Sequence, residues 1–182
     1  MRSLSRFFYL LGALLLVAAL FLTWQRSTPN RLSFATSSVG EEISVSTLKI
    51  PVRISIERLN ISLPIIGTTL AGGKWTATDR GVSYLTSTPV PGEKGNSVLY
   101  GHNWPNLLGR LVRITPGDLI EIQLSDGSLR RFRVEFTTTV TPNQTHILAQ
   151  TDDMRLTIYT CTGFLDRQRF VATAILEEST SP

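Results

Sequence analysis

The sequence predicts an all-β fold: a closed or nearly closed barrel of about eight strands with short helices, preceded by an N-terminal transmembrane helix. Three observations carry this. Short apolar, β-branched runs recur at close spacing from Ile50 onward, with turn residues between them and little helical periodicity. One pair of runs flanks Ser125-Asp126-Gly127-Ser128, and Asp-Gly between apolar strands is a strong hairpin signal. Residues 7–24 carry no charge over 18 positions.

The elements follow in order. A helix over 7–24 is about 27 Å long at 1.5 Å per residue, enough to cross a hydrocarbon core of about 30 Å. Arg2 and Arg6 precede it, so the positive-inside tendency keeps the N-terminus cytoplasmic and sends the rest outward. Trp24 suits the far interface. A cleaved signal peptide is the alternative, but no small-x-small site follows the apolar run. On either reading the C-terminal part is exported. Residues 1–26 are thus assigned to the cytoplasmic tip and anchor, on a single-pass cell-membrane protein. The Ser/Thr-rich stretch 27–49 reads as an extracellular stalk, and 50–178 as the folded domain.

Val52, Ile54 and Ile56 alternate with Arg53, Ser55 and Glu57, the period of a strand with one wet face. Ile61 to Ile66 is a second strand, in which Pro64 predicts an edge or bulge position. Ala71-Gly72-Gly73 marks a turn, and Pro89 to Gly95 a loop. Ser97 to Tyr100 reads as a buried strand ending at Gly101-His102. A short helix or turn is expected over Trp104–Leu111, and a turn at Pro116-Gly117-Asp118. Leu119–Leu124 and Leu129–Phe136 form the hairpin, extended by Thr137–Val140. Asn143–Gln150 reads as a helical turn. Arg155–Cys161 and Arg169–Leu176 are the last strands.

The chain carries a net charge of +4. Setting aside Arg2, Arg6 and Arg26 leaves 15 basic against 14 acidic residues beyond residue 26, a net of +1. A domain near neutrality lacks the electrostatic footprint of a nucleic-acid binder. Arg130, Arg131 and Arg133 cluster after a turn and read as a solvated strand edge. No Cys/His group has metal-ligand spacing, and no Gly-rich phosphate loop or Gly-x-Ser-x-Gly elbow occurs, so no metal or cofactor is expected. Asp152-Asp153 and Glu41-Glu42 are isolated acidic pairs, too few for an evident calcium site.

One cysteine excludes an internal disulfide. Cys161 ends an apolar run before Thr162-Gly163, where a rigid backbone brings a thiol near solvent. Thr157, Tyr159 and Cys161 share one strand face, with Leu156 and Ile158 on the other. A lone cysteine is as often a small buried hydrophobe. His102 also ends a strand, and a thiol with an imidazole supplies nucleophile and base. Arg167 and Arg169 follow the cysteine, and either can hold charge developing on a carbonyl oxygen. His146 lies in a helical turn and reads as a surface residue.

The run Thr157-Ile158-Tyr159-Thr160-Cys161 resembles the Thr-Leu-x-Thr-Cys signature of sortases, membrane-anchored cysteine transpeptidases of bacterial surfaces. Tyr100-Gly101-His102 resembles their Gly-His element, and the 59-residue separation of His102 from Cys161 suits them. Arg167-Gln168-Arg169-Phe170-Val171-Ala172 looks like the family arginine leading into the last strand, with Arg167 in its position. The resemblance covers roughly residues 50–177. Ile158 replaces the usual leucine, Asn103-Trp104 is an uncommon continuation, and the Cys161–Arg167 loop is short, so the subclass stays open. The pilus-building members' lid is not evident, because residues before 50 lack an aspartate-aromatic signature.

The resemblance implies a sortase-like barrel in which Cys161, His102 and Arg167 are catalytic. It implies cleavage of a Leu-Pro-x-Thr-Gly-like sorting signal through a Cys161 thioester. The acyl chain would pass to an amine of a cell-wall precursor or a protein lysine. A cysteine endopeptidase using water, or an idle surface-binding module, are the alternatives. No carboxylate is evidently spaced to orient His102, which implies a minor thiolate–imidazolium population and slow turnover.

Overall fold

The computed structural model describes residues 2–26, 32, 34, 49–71 and 74–177. Helix α1 spans Arg2–Arg26. Among the described residues ten strands follow: β1 (Pro51–Ile56), β2 (Ile61–Thr68), β3 (Leu70–Ala71), β4 (Lys74–Trp75), β5 (Val82–Leu85), β6 (Gly95–Gly101), β7 (Leu119–Leu124), β8 (Leu129–Val140), β9 (Met154–Thr162) and β10 (Gln168–Leu176). Eight of them close a barrel in the order β1-β2-β5-β6-β9-β10-β8-β7, while β3 and β4 form a separate pair. Short 3₁₀ turns at Leu108–Arg113 and Thr145–Leu148 stand where short helical segments were expected.

Alternation in the sequence becomes two apolar layers. Ile54, Ile56, Leu99, Ile122, Phe132 and Ile158 fill the barrel interior. Burying each such side chain is worth about 1.5–3 kcal/mol. On the outer face, Tyr100, Tyr159, Val171 and Cys161 pack with Trp75, Leu32 and Phe34. Every residue of β6 is buried, because it lies between a parallel partner, β9, and an antiparallel one, β5, with apolar layers on both faces.

Two local expectations change. Pro64 lies inside β2, opposite Arg53 of β1, rather than at an edge or bulge. Pairing with β5 begins only at Ile65, so the missing N–H of Pro64 precedes that ladder. Of the three arginines expected on a solvated edge, Arg133 is paired on both sides, with β7 and β10, whereas Arg130 and Arg131 lie beyond the β10 register, where the Arg131 carbonyl accepts from the Glu177 N–H. Arg131 Nε donates to Glu121 Oε1 at 2.8 Å across the hairpin, and Arg133 Nε donates to Glu177 Oε1 at 2.7 Å. The hairpin turn itself forms as expected, with Gly127 at φ 83°.

Among the described residues no helix is long and apolar enough to cross a membrane. The expected N-terminal helix forms, but its expected membrane span is not shown. Most of the 27–49 stretch, and the Gly72-Gly73 turn, lie outside the described residues. Within that stretch Leu32 and Phe34 are buried: Tyr159 Oη donates to the Leu32 carbonyl at 3.1 Å, and the Phe34 ring meets Tyr159 edge-on at 5.0 Å.

Candidate active site

The site grows from the parallel pairing of β6 with β9. Thr157 Oγ1 donates to Asn96 Oδ1 at 2.7 Å, and Asn96 Nδ2 donates to the carbonyls of Ile147 and Ala149. These bonds fix the start of β6. At its end, Thr160 Oγ1 donates to the Gly101 carbonyl at 2.8 Å. Between them Tyr100 sits opposite Tyr159, the two rings stacked at 5.5 Å and 11°. Burial pushes the Tyr100 phenol up to about 12 and raises Tyr159 well above its ordinary value. Both therefore stay neutral at ordinary pH and act as packing, not as acids or bases.

The last pair in this register is Gly101 with Thr160. Cys161 follows on β9, on the face of Tyr159, and His102 is the first residue after β6, its carbonyl accepting from the Leu108 N–H at 3.0 Å. On the other side of β9, Cys161 is the antiparallel partner of Arg169 in β10, and such partners point to the same face. The topology thus places thiol and guanidinium on one face, with His102 just beyond the end of the neighbouring strand β6.

Cys161 is 4% exposed and His102 6%. The imidazole stacks on the Trp104 ring with centroids 4.5 Å apart and planes 12° from parallel. Burial lowers the proton affinity of His102, opposed by the negative charges of Asp79 and Asp166. Arg169 is 3% exposed, and its Nη1 donates to the carbonyls of Asp166 and Gln168, each at 3.0 Å. Arg167 is exposed, outside β10, at the end of the turn Phe164–Asp166. Of the two arginines left open by spacing, Arg169 is the one that faces Cys161 in register. His146 is exposed on the turn that Asn96 binds, at the opposite end of β6, roughly 17 Å along the strand from Gly101.

Several participants carried no signal in the sequence. Trp104 reads as an uncommon neighbour of the histidine, not as its stacking partner. Asp79 and Asp166 are far from His102 in the chain, and only the fold turns their charges toward it. Asn103 Nδ2 donates to Asp166 Oδ1 at 3.2 Å, tying the loop after β6 to the loop after β9. Among the described residues no group of three His, Cys, Asp or Glu side chains is placed to hold a metal ion.

Buried thiols are nucleophiles only when a neighbour accepts the proton and a cation stabilises negative charge. Arg169 supplies the cation from the neighbouring strand β10, and the buried His102 follows β6 on the other side. The arrangement suits covalent acyl transfer.

The family model "Sortase domain" matches residues 54–177. Comparison with curated proteins returns no match. Among solved structures, sortase A of Listeria monocytogenes is 27% identical, covering 71% of this chain and 88% of its own, with a TM-score of 0.58. Sortase C-1 of Actinomyces oris is 27% identical over 70% of this chain and 75% of its own, at 0.61. Sortase C1 of Streptococcus agalactiae is 21% identical and shares the fold over 92% of this chain and 90% of its own, at 0.63.

Proposed function

The chain belongs to the sortase family, and from that premise we propose that it is a cysteine transpeptidase acting on C-terminal sorting signals. One observation supports the reading: Cys161 is paired with Arg169 of β10 on one side, and on the other β9 lies beside β6, whose end is followed directly by the buried His102. In the reaction, Cys161 sulfur attacks the scissile carbonyl of a Leu-Pro-x-Thr-Gly-like segment while His102 accepts the thiol proton. The carbonyl oxygen gains negative charge, and the Arg169 guanidinium holds it or orients the peptide. His102 then delivers its proton to the departing amine as the C–N bond breaks, leaving a thioester on Cys161. An amine acceptor, from a cell-wall precursor or a protein lysine, attacks the thioester. His102 takes the proton from that amine and passes it to the Cys161 sulfur as the C–S bond breaks, which regenerates the thiol.

The test is mass spectrometry of the protein incubated with a sorting-signal peptide. A Cys161-bound acyl adduct is expected, absent in Cys161→Ala, and discharged onto added amines. An adduct discharged equally fast by water alone would mark an endopeptidase; none at all would reject the reading.

We further propose that α1 anchors the protein, with the barrel, residues 50–178, outside the membrane and 27–49 linking the two. Leu10 is 72% and Leu16 67% exposed on a helix that the barrel does not cover. Such apolar exposure calls for lipid.

A further inference from the structure

The loop joining Cys161 to Arg169 holds an unusual backbone. Leu165 and Asp166 are consecutive non-glycine residues in the left-handed region, at φ 54° and 57°. Leucine rarely adopts it; aspartate tolerates it better. Strain of this kind persists only where surrounding contacts fix it. Here they involve both halves of the site. The Asp166 carboxylate accepts from Asn103 Nδ2, one residue beyond His102, and the Asp166 carbonyl accepts from Arg169 Nη1.

We propose that Asp166 is a positioning residue of the transfer site, clamping the loop that follows His102 to the guanidinium of Arg169 across Cys161. This rests on the transpeptidase reading above. A single residue touches the two flanking strands' contributions, and its twisted backbone lets the side chain reach one while the carbonyl faces the other. The clamp sets the spacing of base and cation around the sulfur without touching substrate.

Asp166 also acts on His102 as a charge. The charges acting on the imidazole are Asp79 from the segment before β5 and Asp166 from the loop after β9, with the neutral Trp104 ring stacked on it; Cys161 of β9 and Arg169 of β10 lie at the adjoining strand ends. Asp79 is exposed and lies beside Arg80 at 3.9 Å, so salt screens its field. Asp166 is half-buried and held by hydrogen bonds, so its influence outlasts salt.

Three variants separate clamp from charge. Asp166→Asn keeps a residue that tolerates the left-handed backbone and an oxygen for Asn103, but removes the charge. Asp166→Ala removes both, and Asn103→Ala cuts the tie from the other side. His102 is titrated by NMR, with surface His146 as internal reference, at low and high salt. The pH dependence of Cys161 alkylation is followed in parallel, then kcat and KM with a sorting peptide.

In Asp166→Asn the His102 midpoint is expected to fall by about half a unit, at both salt concentrations. In Asp166→Ala and Asn103→Ala kcat is expected to fall about tenfold with KM within about twofold, and asparagine at 166 to restore most of that loss. Unchanged titration and alkylation profiles in all three variants would overturn the clamp, as would a loss confined to KM. The first two readouts need no substrate. They decide the clamp even if the wild-type protein forms no thioester, which would be a failure of the transpeptidase reading instead.

Discussion

His102 gives up solvent to stack on Trp104, and burial makes it a weaker base than a free histidine. Its folded affinity for protons is below the ordinary 6.5, so near that pH the unfolded chain binds more protons than the folded one. Stability from this site is therefore complete above 6.5 and is lost as pH falls through the lowered folded value. The urea midpoint of the wild-type protein is expected to drop between pH 7 and pH 5, and to drop less in His102→Gln. An equal drop in both would assign the pH dependence elsewhere. The arginines make a second test. Arg169→Ala is expected to slow acyl-enzyme formation by about 10²–10³-fold, the usual cost of a lost oxyanion donor. Arg167→Ala, truncating an exposed side chain, is expected to stay within about twofold of wild type. Arg169→Lys should not rescue, because a point charge lacks the planar fork. Cys161 and His102 were legible as candidates because few residue types can do that chemistry. Which arginine pairs with Cys161 was not legible, because spacing alone cannot say where β10 begins.

The pairing of β6 with β9 is the element on which the site depends. Its register, held by Asn96–Thr157 at one end and Thr160–Gly101 at the other, decides which residues emerge together. A slip of one position would turn Cys161 toward the barrel interior. The strands themselves were readable from alternation and turn residues, as with Ile54 and Ile56 or the Asp126-Gly127 hairpin. Partners distant in sequence were not: no local pattern tells β6 to lie beside β9. Pro64 misled for the same reason, since its meaning depends on where the β5 ladder starts. Gly81 guards that start. A Cβ there would run into the Pro64 carbonyl oxygen. Gly81→Ala is expected to destabilise the fold by about 1–3 kcal/mol, read as a lower urea midpoint. An unchanged midpoint would show that β2 and β5 separate there at no cost.

At the scale of the molecule, a helix with a bare apolar surface is joined to a barrel whose charges nearly balance. Full-length protein is expected to float with lipid vesicles, and residues 27–182 to remain in the aqueous fraction while keeping the barrel's circular dichroism. Full-length protein left in the aqueous fraction would remove the anchor from the proposal. The uncharged 7–24 run was plain in the sequence. The burial of Leu32 and Phe34 was not, because two scattered apolar residues in a polar stretch give no period to read. The circular sheet has a last consequence. Many peptide-binding proteins extend a sheet by recruiting the ligand's backbone along an open rim, which makes recognition tolerant of the ligand's sequence. Among the described residues the barrel closes, so each of its eight strands has a neighbour on both sides over part of its length, and open rim remains only in stretches such as the end of β8 beyond the β7 register. On the proposed reading, a peptide ligand would then depend on side-chain pockets for most of its recognition.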